Sequence, residues 1–300
     1  MRSCLKGMIS VHKARTSRGD RVFNVCSYIL SAIIMLSILY PLFFIIIASF
    51  SDPTAIQRGE VLFWPVGSTT AAYTEIFANA KIWRSYLNTI IYTVTTTATA
   101  LICVLPCAYT LSRKDYPLRN IVMAFFLIAM YFNGGMIPTY MVVKRLGLLN
   151  TMWSVVLTST VSVFNIIIAR TFFQTTIPDA VRDAAVIDGC SDFRFFFQIV
   201  LPLSKAIIAV IGLYTAVAAW NGYMSAMMYL TKDELHPLQL VLRNILIENQ
   251  FDFENSVENL KRSERLKYAL IVVSTVPIMC AYPFIQKYFA QGVMIGAVKG

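Results

Sequence analysis

Six long stretches of the chain contain no Asp, Glu, Lys, Arg or His. They cover residues 22–50, 85–112, 120–143, 151–169, 206–230 and 268–286. A helix of about 20 apolar residues crosses the roughly 30 Å hydrocarbon core of a bilayer, so each stretch is long enough to span one. With 57% hydrophobic and 14% charged residues, the chain also lacks the charge that covers a soluble domain. We therefore predict an all-α, polytopic membrane protein with six transmembrane helices.

The first stretch has a second interpretation, as the apolar part of a signal peptide, because six basic residues precede it. At 29 residues it is much longer than the about 7–15 apolar residues of such a segment. No convincing small-residue cleavage site follows it. We expect a retained first transmembrane helix.

The distribution of charge predicts the orientation. With a cytoplasmic N-terminus, the cytoplasmic side carries 15 basic and 6 acidic residues, and the opposite side carries 11 and 10. Cytoplasmic segments of membrane proteins are enriched in Lys and Arg. We therefore expect a cytoplasmic N-terminal segment at 1–21, a membrane domain at 22–290 with outer loops at 51–84 and 231–267, and a cytoplasmic tail at 291–300.

The uncharged stretches exclude several classes of function. Ion-coupled carriers and channels with charged rings generally place ionisable groups at membrane depth. Both histidines, His12 and His236, lie outside the six stretches, the six cysteines have no framework spacing, and no G-x-x-x-x-G-K-S/T phosphate loop occurs. The net charge of +10 is dispersed rather than gathered into a nucleic-acid-binding patch. We predict no catalytic residue, metal site, bound cofactor or nucleic-acid partner, so the energy for any transport must come from a partner protein.

The long cytoplasmic loop at 175–205 has the pattern of two short helices. Pro178 is compatible with a helix start, and Asp179 with the positive end of a helix dipole, so the first helix is expected at 179–187. Gly189 is the expected stop, because glycine adopts left-handed dihedral angles without a steric cost.

The second helix of the loop is expected at 193–200. Ser191 or Asp192 can cap its start, and we expect it to end before Pro202. Its predicted apolar stripe consists of Phe193, Phe196, Phe197 and Val200, while Arg194 and Gln198 point away.

Two interpretations of this loop are open. It can be an amphipathic connector lying on lipid headgroups, although headgroup binding favours basic residues. Alternatively it docks on a basic partner protein, and small side chains at Ala184 and Ala185 leave room for close approach. Four acids favour docking: Asp179, Asp183, Asp188 and Asp192.

The residues of this loop resemble a known family. Asp183-Ala184-Ala185, Ile187-Asp188-Gly189 and Ile199-Val200-Leu201-Pro202 are similar to the "EAA" motif of bacterial ABC importer permeases, with its spacing kept through 20 positions. Other stretches of the chain resemble the carbohydrate-uptake branch of this family, which is of maltose type. The resemblance is closest to permeases for pectin- or alginate-type oligosaccharides and to the lipoprotein-like sugar permease group. Those stretches are FNGGMIPTYMVVKRLGLLNT (132–151), AAWNGY (218–223), PLQLVLRNIL (237–246) and QGVMIGAVKG (291–300).

The resemblance implies a type I ABC importer permease fold, in which the loop is a coupling helix that docks on an ATPase subunit. Asp183 stands where the family usually has Glu, so the acidic arm that pairs with the ATPase is one methylene shorter. The tail at 291–300 resembles a segment that, in maltose-type permeases, reaches toward the ATPase dimer. The alternative interpretation of this tail is a frayed chain terminus. The implied coupling residues are Asp183, Ala184, Ala185, Ile187, Asp188, Gly189, Leu201 and Pro202.

The resemblance also implies partners and a mechanism. They are a second homologous permease in a heterodimer, two ATP-binding subunits that hold ATP and Mg, an extracytoplasmic solute-binding protein, an oligosaccharide and membrane lipid. Two interpretations of the outer loops are open: they form the surface that receives the solute-binding protein, or they are solvated loops without a partner. Candidate sugar-path residues, each equally a packing or interfacial residue, are Tyr131, Asn133, Tyr140, Tyr214, Trp220 and Asn221.

The expected function is that of a transport subunit, not an enzyme, in the bacterial inner membrane, with alternating access driven by its ATPase partners. The oligosaccharide is expected to derive from a polysaccharide and to be acidic or neutral. The alternatives are an ABC permease for another small solute, a carrier that works alone, and a membrane scaffold without transport.

Overall fold

The computed structural model describes residues 18–132, 134–251, 264–280 and 283. These residues form helices and connecting segments without a β-strand, which confirms the all-α prediction. The 175–205 loop is called here the inner loop after its predicted side of the membrane. The helices as far as its first helix are α1 (Arg18–Ser49), α2 (Pro53–Gln57), α3 (Ala71–Ala78), α4 (Ala80–Ser112), α5 (Arg119–Tyr131), α6 (Met136–Arg145), α7 (Met152–Thr160), α8 (Val163–Thr176) and α9 (Asp179–Ile187). They are followed by α10 (Asp192–Leu203), α11 (Lys205–Asn221), α12 (Met224–Tyr229), α13 (Leu238–Phe251) and α14 (264–280).

The first of two compact units, residues 1–69, contains α1 and α2. Most apolar side chains of α1 are exposed, as expected for a helix whose solvent is lipid. A small core forms where Ile47, Ala55 and Val61 meet. Asp52 caps α2 by accepting a hydrogen bond from the Thr54 N–H at 2.9 Å.

Helix α4 is the central element of the second unit, residues 70–300, and packs along α7, α8 and α11. Its buried side chains recur every three or four residues, so they form one stripe of the helix. Many are small, which lets membrane helices approach closely. The stripe includes Ser85, Thr89, Tyr92, Thr96, Ala100, Val104, Ala108 and Leu111.

Five of the six predicted membrane stretches overlap a helix, or a bent pair of helices, that is long and apolar enough to cross a membrane. Among the described residues, α1 and α4 qualify singly, and three pairs qualify when each is counted as one bent span: α5 with α6, α7 with α8, and α10 with α11. Helix α14 covers the sixth stretch to residue 280, and the rest of that stretch, apart from Pro283, lies outside the described residues.

The third, fourth and fifth stretches are each interrupted. In the third, Gly134-Gly135 followed by Pro138 predicts a break, and the structure confirms it, because α5 ends at Tyr131 and Gly135, with a φ of +89°, precedes α6. The fourth stretch bends by 46° where Ser162 starts α8 by accepting a hydrogen bond from the Asn165 N–H at 3.4 Å. The fifth is interrupted at Gly222, whose backbone is extended.

Candidate functional site: the inner loop and an outer cavity

Helix α9 has the bounds that the sequence predicts. Pro178 precedes it with φ −65° and ψ 142°, and Asp179 places a carboxylate in the first turn. The Lys114 ammonium donates a hydrogen bond to Asp179 Oδ2 at 2.8 Å. This hydrogen bond, with the charge of Lys114, holds the pKa of Asp179 below its usual value. Since both side chains are exposed, the pair orients the start of α9 more than it stabilises it.

The turn after α9 depends on Gly189, which has a φ of +71°. Its N–H donates to the Val186 carbonyl at 3.0 Å, and the Cys190 N–H donates to the Ala185 carbonyl at 2.9 Å, which is the Schellman arrangement. A Cβ on Gly189 would meet no atom within 4 Å, so backbone conformation rather than space favours glycine here. The predicted helix stop is confirmed.

Helix α10 begins as predicted but ends later. The Ser191 hydroxyl accepts a hydrogen bond from the Arg194 N–H at 3.3 Å and caps its start. The predicted end before Pro202 is wrong, because the helix continues to Leu203.

A π-helical turn explains how α10 passes a proline. The Leu201 N–H donates to the carbonyl of Phe196, five residues earlier, rather than four. Proline has no N–H and crowds the carbonyl one turn before it, and the wider turn relieves both constraints. After Pro202 the chain bends by 81° next to Ser204 and enters α11.

The two short helices bury one side in the core of the second unit. Phe195 is 2% exposed, and Ala185, Phe196 and Val200 are also buried. They share a cluster with residues of α4, α8 and α11, among them Val104, Ile166, Ala169, Ile207 and Ile211. The inner loop is therefore continuous with the packing of the membrane helices.

The predicted apolar stripe of α10 is only partly correct. Phe196 and Val200 are buried, but Phe193 and Phe197 are exposed, and their ring centroids lie 4.5 Å apart. The buried aromatic residue that spacing did not select is Phe195, because the core lies on its side of α10. Arg194 points away as expected and donates to Gln198 Oε1 at 2.9 Å.

The opposite side of α9 is an exposed surface, called here the α9 surface. It consists of Asp183, Ala184, Val186, Ile187 and Asp188. Ile187 is 85% exposed, and Ala184 faces outward although its neighbour Ala185 is buried. An apolar side chain this exposed, beside two carboxylates, is suited to contact with another protein.

The four acids of the loop divide into two pairs. Asp179 contacts Lys114, and Asp192 lies 3.3 Å from Arg182, whose guanidinium also meets Asp115 at 2.8 Å. Across the described segments, Asp183 and Asp188 meet no basic side chain. These two carboxylates remain available to a partner, and Asp183 is the one that the resemblance predicts to contact the ATPase.

The remaining implied coupling residues lie at the other end of the loop. Leu201 is half-buried against the cluster that contains Phe195, whereas Pro202 is exposed. These two residues therefore belong to the bend between α10 and α11 rather than to the α9 surface.

The candidate sugar-path residues have different environments. Tyr131 and Tyr214 are exposed, Tyr140 stacks on Tyr229 with centroids 6.3 Å apart, and Asn133 lies outside the described residues. Trp220 is buried, and its Nε1 donates to the Ser274 carbonyl at 3.1 Å. The structure does not bring the five described residues into one site, and the role of all six in a sugar path stays a prediction.

Asn221 alone among the five described candidates lines a cavity of about 560 Å³ between the end of α11, α13 and α14, called here the outer cavity after its predicted side of the membrane. Tyr223, Arg243 and Lys267 line the same cavity and were not selected from the sequence. Their signal in the sequence is weak, because each base lies in a segment that reads as a solvated loop.

The chain is similar to known proteins over most of its length. A family model described as "Binding-protein-dependent transport system inner membrane component" matches residues 7–295. Protein LplC of Bacillus subtilis (strain 168) is 37% identical over 296 residues, which cover 98% of this chain and 100% of LplC. The polygalacturonan/rhamnogalacturonan transport system permease protein YtcP of the same organism is 39% identical over 285 residues, covering 94% and 99% of the two chains.

A solved structure also matches. It is the crystal structure of a bacterial ABC transporter involved in the import of the acidic polysaccharide alginate, with a TM-score of 0.84 at 34% identity, covering 91% of this chain and 98% of that one. YtcP and the alginate importer are described as transport proteins, and the family description names a transport component that depends on a binding protein. The chain belongs to the family of binding-protein-dependent transport system inner membrane components.

Proposed function

We propose that this chain is the permease subunit of an ATP-driven ABC importer for acidic, polysaccharide-derived oligosaccharides. The family description, YtcP and the alginate transporter support the class of transporter, and the polygalacturonan and alginate of the last two support the acidic substrate. The chain would pair with a second homologous permease, two ATPase subunits and a solute-binding protein. Its termini would lie in the cytoplasm, on the side with the larger excess of basic residues.

The α9 surface is the observation that carries this proposal. It presents an unpaired carboxylate at Asp183 and an exposed apolar side chain at Ile187. The other side of α9 and α10 shares a buried cluster with α4, α8 and α11. Because close-packed interiors transmit displacement, movement of a docked ATPase would be passed to the membrane helices. Alternating access would follow from the two positions of the docked ATPases.

The outer side offers a surface for the solute-binding protein. Lys81 Nζ lies 2.6 Å from Asp233 Oδ2, and Arg84 lies 3.2 Å from Glu234, so the start of loop 231–267 is held against α4. Helix α13 buries Leu238, Leu240, Val241 and Leu242. This part of the loop is packed rather than freely solvated, and a fixed outer surface suits docking.

Reconstitution tests the proposal. The complex purified through a tag on this chain, placed in liposomes with ATP inside and the binding protein outside, should take up a uronic-acid oligosaccharide and hydrolyse ATP faster when it is present. Gradient-driven uptake by this chain alone would instead establish a carrier that works without an ATPase. A complex whose ATP hydrolysis responds to no oligosaccharide would contradict the proposal.

A further inference from the structure

The outer cavity of about 560 Å³ is within the range of about 300–1,000 Å³ typical of small-molecule sites. The end of α11, helix α13 and helix α14 form its walls. Its polar lining includes two bases, Arg243 and Lys267, and two amides, Asn221 and Gln239. Its apolar lining includes Leu242, Leu270, Ile271 and Ile278.

The basic residues predicted to be on the outer side differ in how their charge is satisfied. Lys81, Arg84 and Arg265 each lie within 2.6–3.3 Å of a carboxylate oxygen. Lys144, Arg145 and Lys232 are exposed, so water solvates them. Arg243 and Lys267 are half-buried, and no carboxylate within the described ranges lies at ion-pair distance from either.

The cavity bases instead lie over aromatic rings. The Arg243 guanidinium is 5.7 Å from the ring centroid of Tyr223, and Lys267 Nζ is 5.5 Å from that of Tyr268. A ring face attracts a cation but accepts few of its N–H groups. Partial burial of a cation without an anion is unfavourable, so the pair of bases is arranged for an anion that arrives from outside.

The rest of the lining indicates what kind of anion fits. Asn221 and Gln239 can form hydrogen bonds with sugar hydroxyl groups. Their amide oxygens can accept a hydrogen bond from a hydroxyl, whereas the Arg and Lys side chains can only donate. Tyr223 presents an aromatic ring, and the apolar wall can cover the C–H face of a sugar. An inorganic ion would use the bases alone, whereas a sugar that carries a carboxylate uses the whole lining.

We propose that Arg243 and Lys267 bind the carboxylates of an acidic oligosaccharide and so select charged over neutral sugars. This inference rests on the proposed function, whose substrate class it explains. Arg243 would hold a carboxylate through its planar fork of donors, and Lys267 would act as a point charge. Asn221 would bond a sugar hydroxyl in the same cavity.

The test compares a uronic-acid trisaccharide with its carboxyl-reduced, neutral counterpart. In the reconstituted complex, the double substitution Arg243→Gln and Lys267→Gln should lower the apparent affinity for the acidic sugar at least about 10–100-fold, because losing even one charge-assisted hydrogen bond costs about 1.5–3 kcal/mol and this variant removes both bases. The concentration of the neutral sugar that gives half-maximal stimulation of ATP hydrolysis should stay as in the wild type. The matched control is Lys144→Gln, which removes an exposed outer base and should change neither value.

Other outcomes separate the possibilities. An unchanged affinity for the acidic sugar would overturn the inference. An equal loss of affinity for both sugars, together with reduced recovery of the second permease, would also overturn it, because the two bases would then pair with that subunit. Arg243→Lys keeps the charge and should retain part of the preference, which guards against a folding defect in the double variant. If the wild-type complex binds neither sugar, the proposed function fails before the two bases are tested.

Discussion

Asp183→Lys is expected to reduce oligosaccharide uptake and substrate-stimulated ATP hydrolysis by tenfold or more, while the chain still inserts into the membrane. The carboxylate is exposed on α9 and meets no basic residue in the described regions, so its loss removes no contact within them. Against a basic patch on the ATPase, the new ammonium replaces attraction with repulsion, and like charges at an interface cost several kcal/mol. Uptake and ATP hydrolysis in proteoliposomes measure the effect.

One variant serves as the control for Asp183→Lys. Asp183→Glu keeps the negative charge, carries the residue that the resemblance implies at this position, and should keep uptake near the wild-type rate. Wild-type uptake by Asp183→Lys would rule out docking through this carboxylate.

Phe195→Ala is expected to destabilise the protein by about 3–5 kcal/mol, the range for removing a buried phenylalanine side chain. Phe195 is 2% exposed and lies in the cluster that joins α10 to α4, α8 and α11. A cavity there weakens both the folded bundle and the connection that would transmit ATPase movement. Thermal unfolding of the complex in nanodiscs measures the loss.

The matched control for this change is Phe193→Ala, because Phe193 is in the same helix but 75% exposed. It should shift the unfolding temperature little. Equal shifts for the two variants would show that α10 is not anchored through Phe195 and would contradict the proposed transmission path.

Local chemistry was sufficient to predict part of the inner loop. Pro178, Gly189 and Ser191 act through their own backbone or side-chain constraints, and each has the predicted position relative to α9 and α10. The path through Pro202 was not predictable in this way, because the π turn that accommodates the proline forms within a helix anchored by tertiary packing.

The same distinction applies to the membrane stretches and the cavity. Absence of charge predicts where spans occur but not where they break: Ser162 lies in an apolar run without Gly or Pro, and the Asn221-Gly222 pair is a turn signal that charge does not reveal. The stripe on α10 was misassigned because helical spacing does not say which side meets the core. Arg243 and Lys267 are far apart in sequence, and only the fold places them in one cavity.

Site-specific cross-linking tests the central claim, that the α9 surface receives an ATPase subunit. Ile187→Cys, in a background without the six native cysteines, places a thiol at a position that is 85% exposed in the native chain. In the purified complex, a short cross-linker should join this position to the ATPase subunit, with a yield that changes when ATP is added. A cross-link to lipid or to the solute-binding protein, with none to the ATPase, would contradict the account.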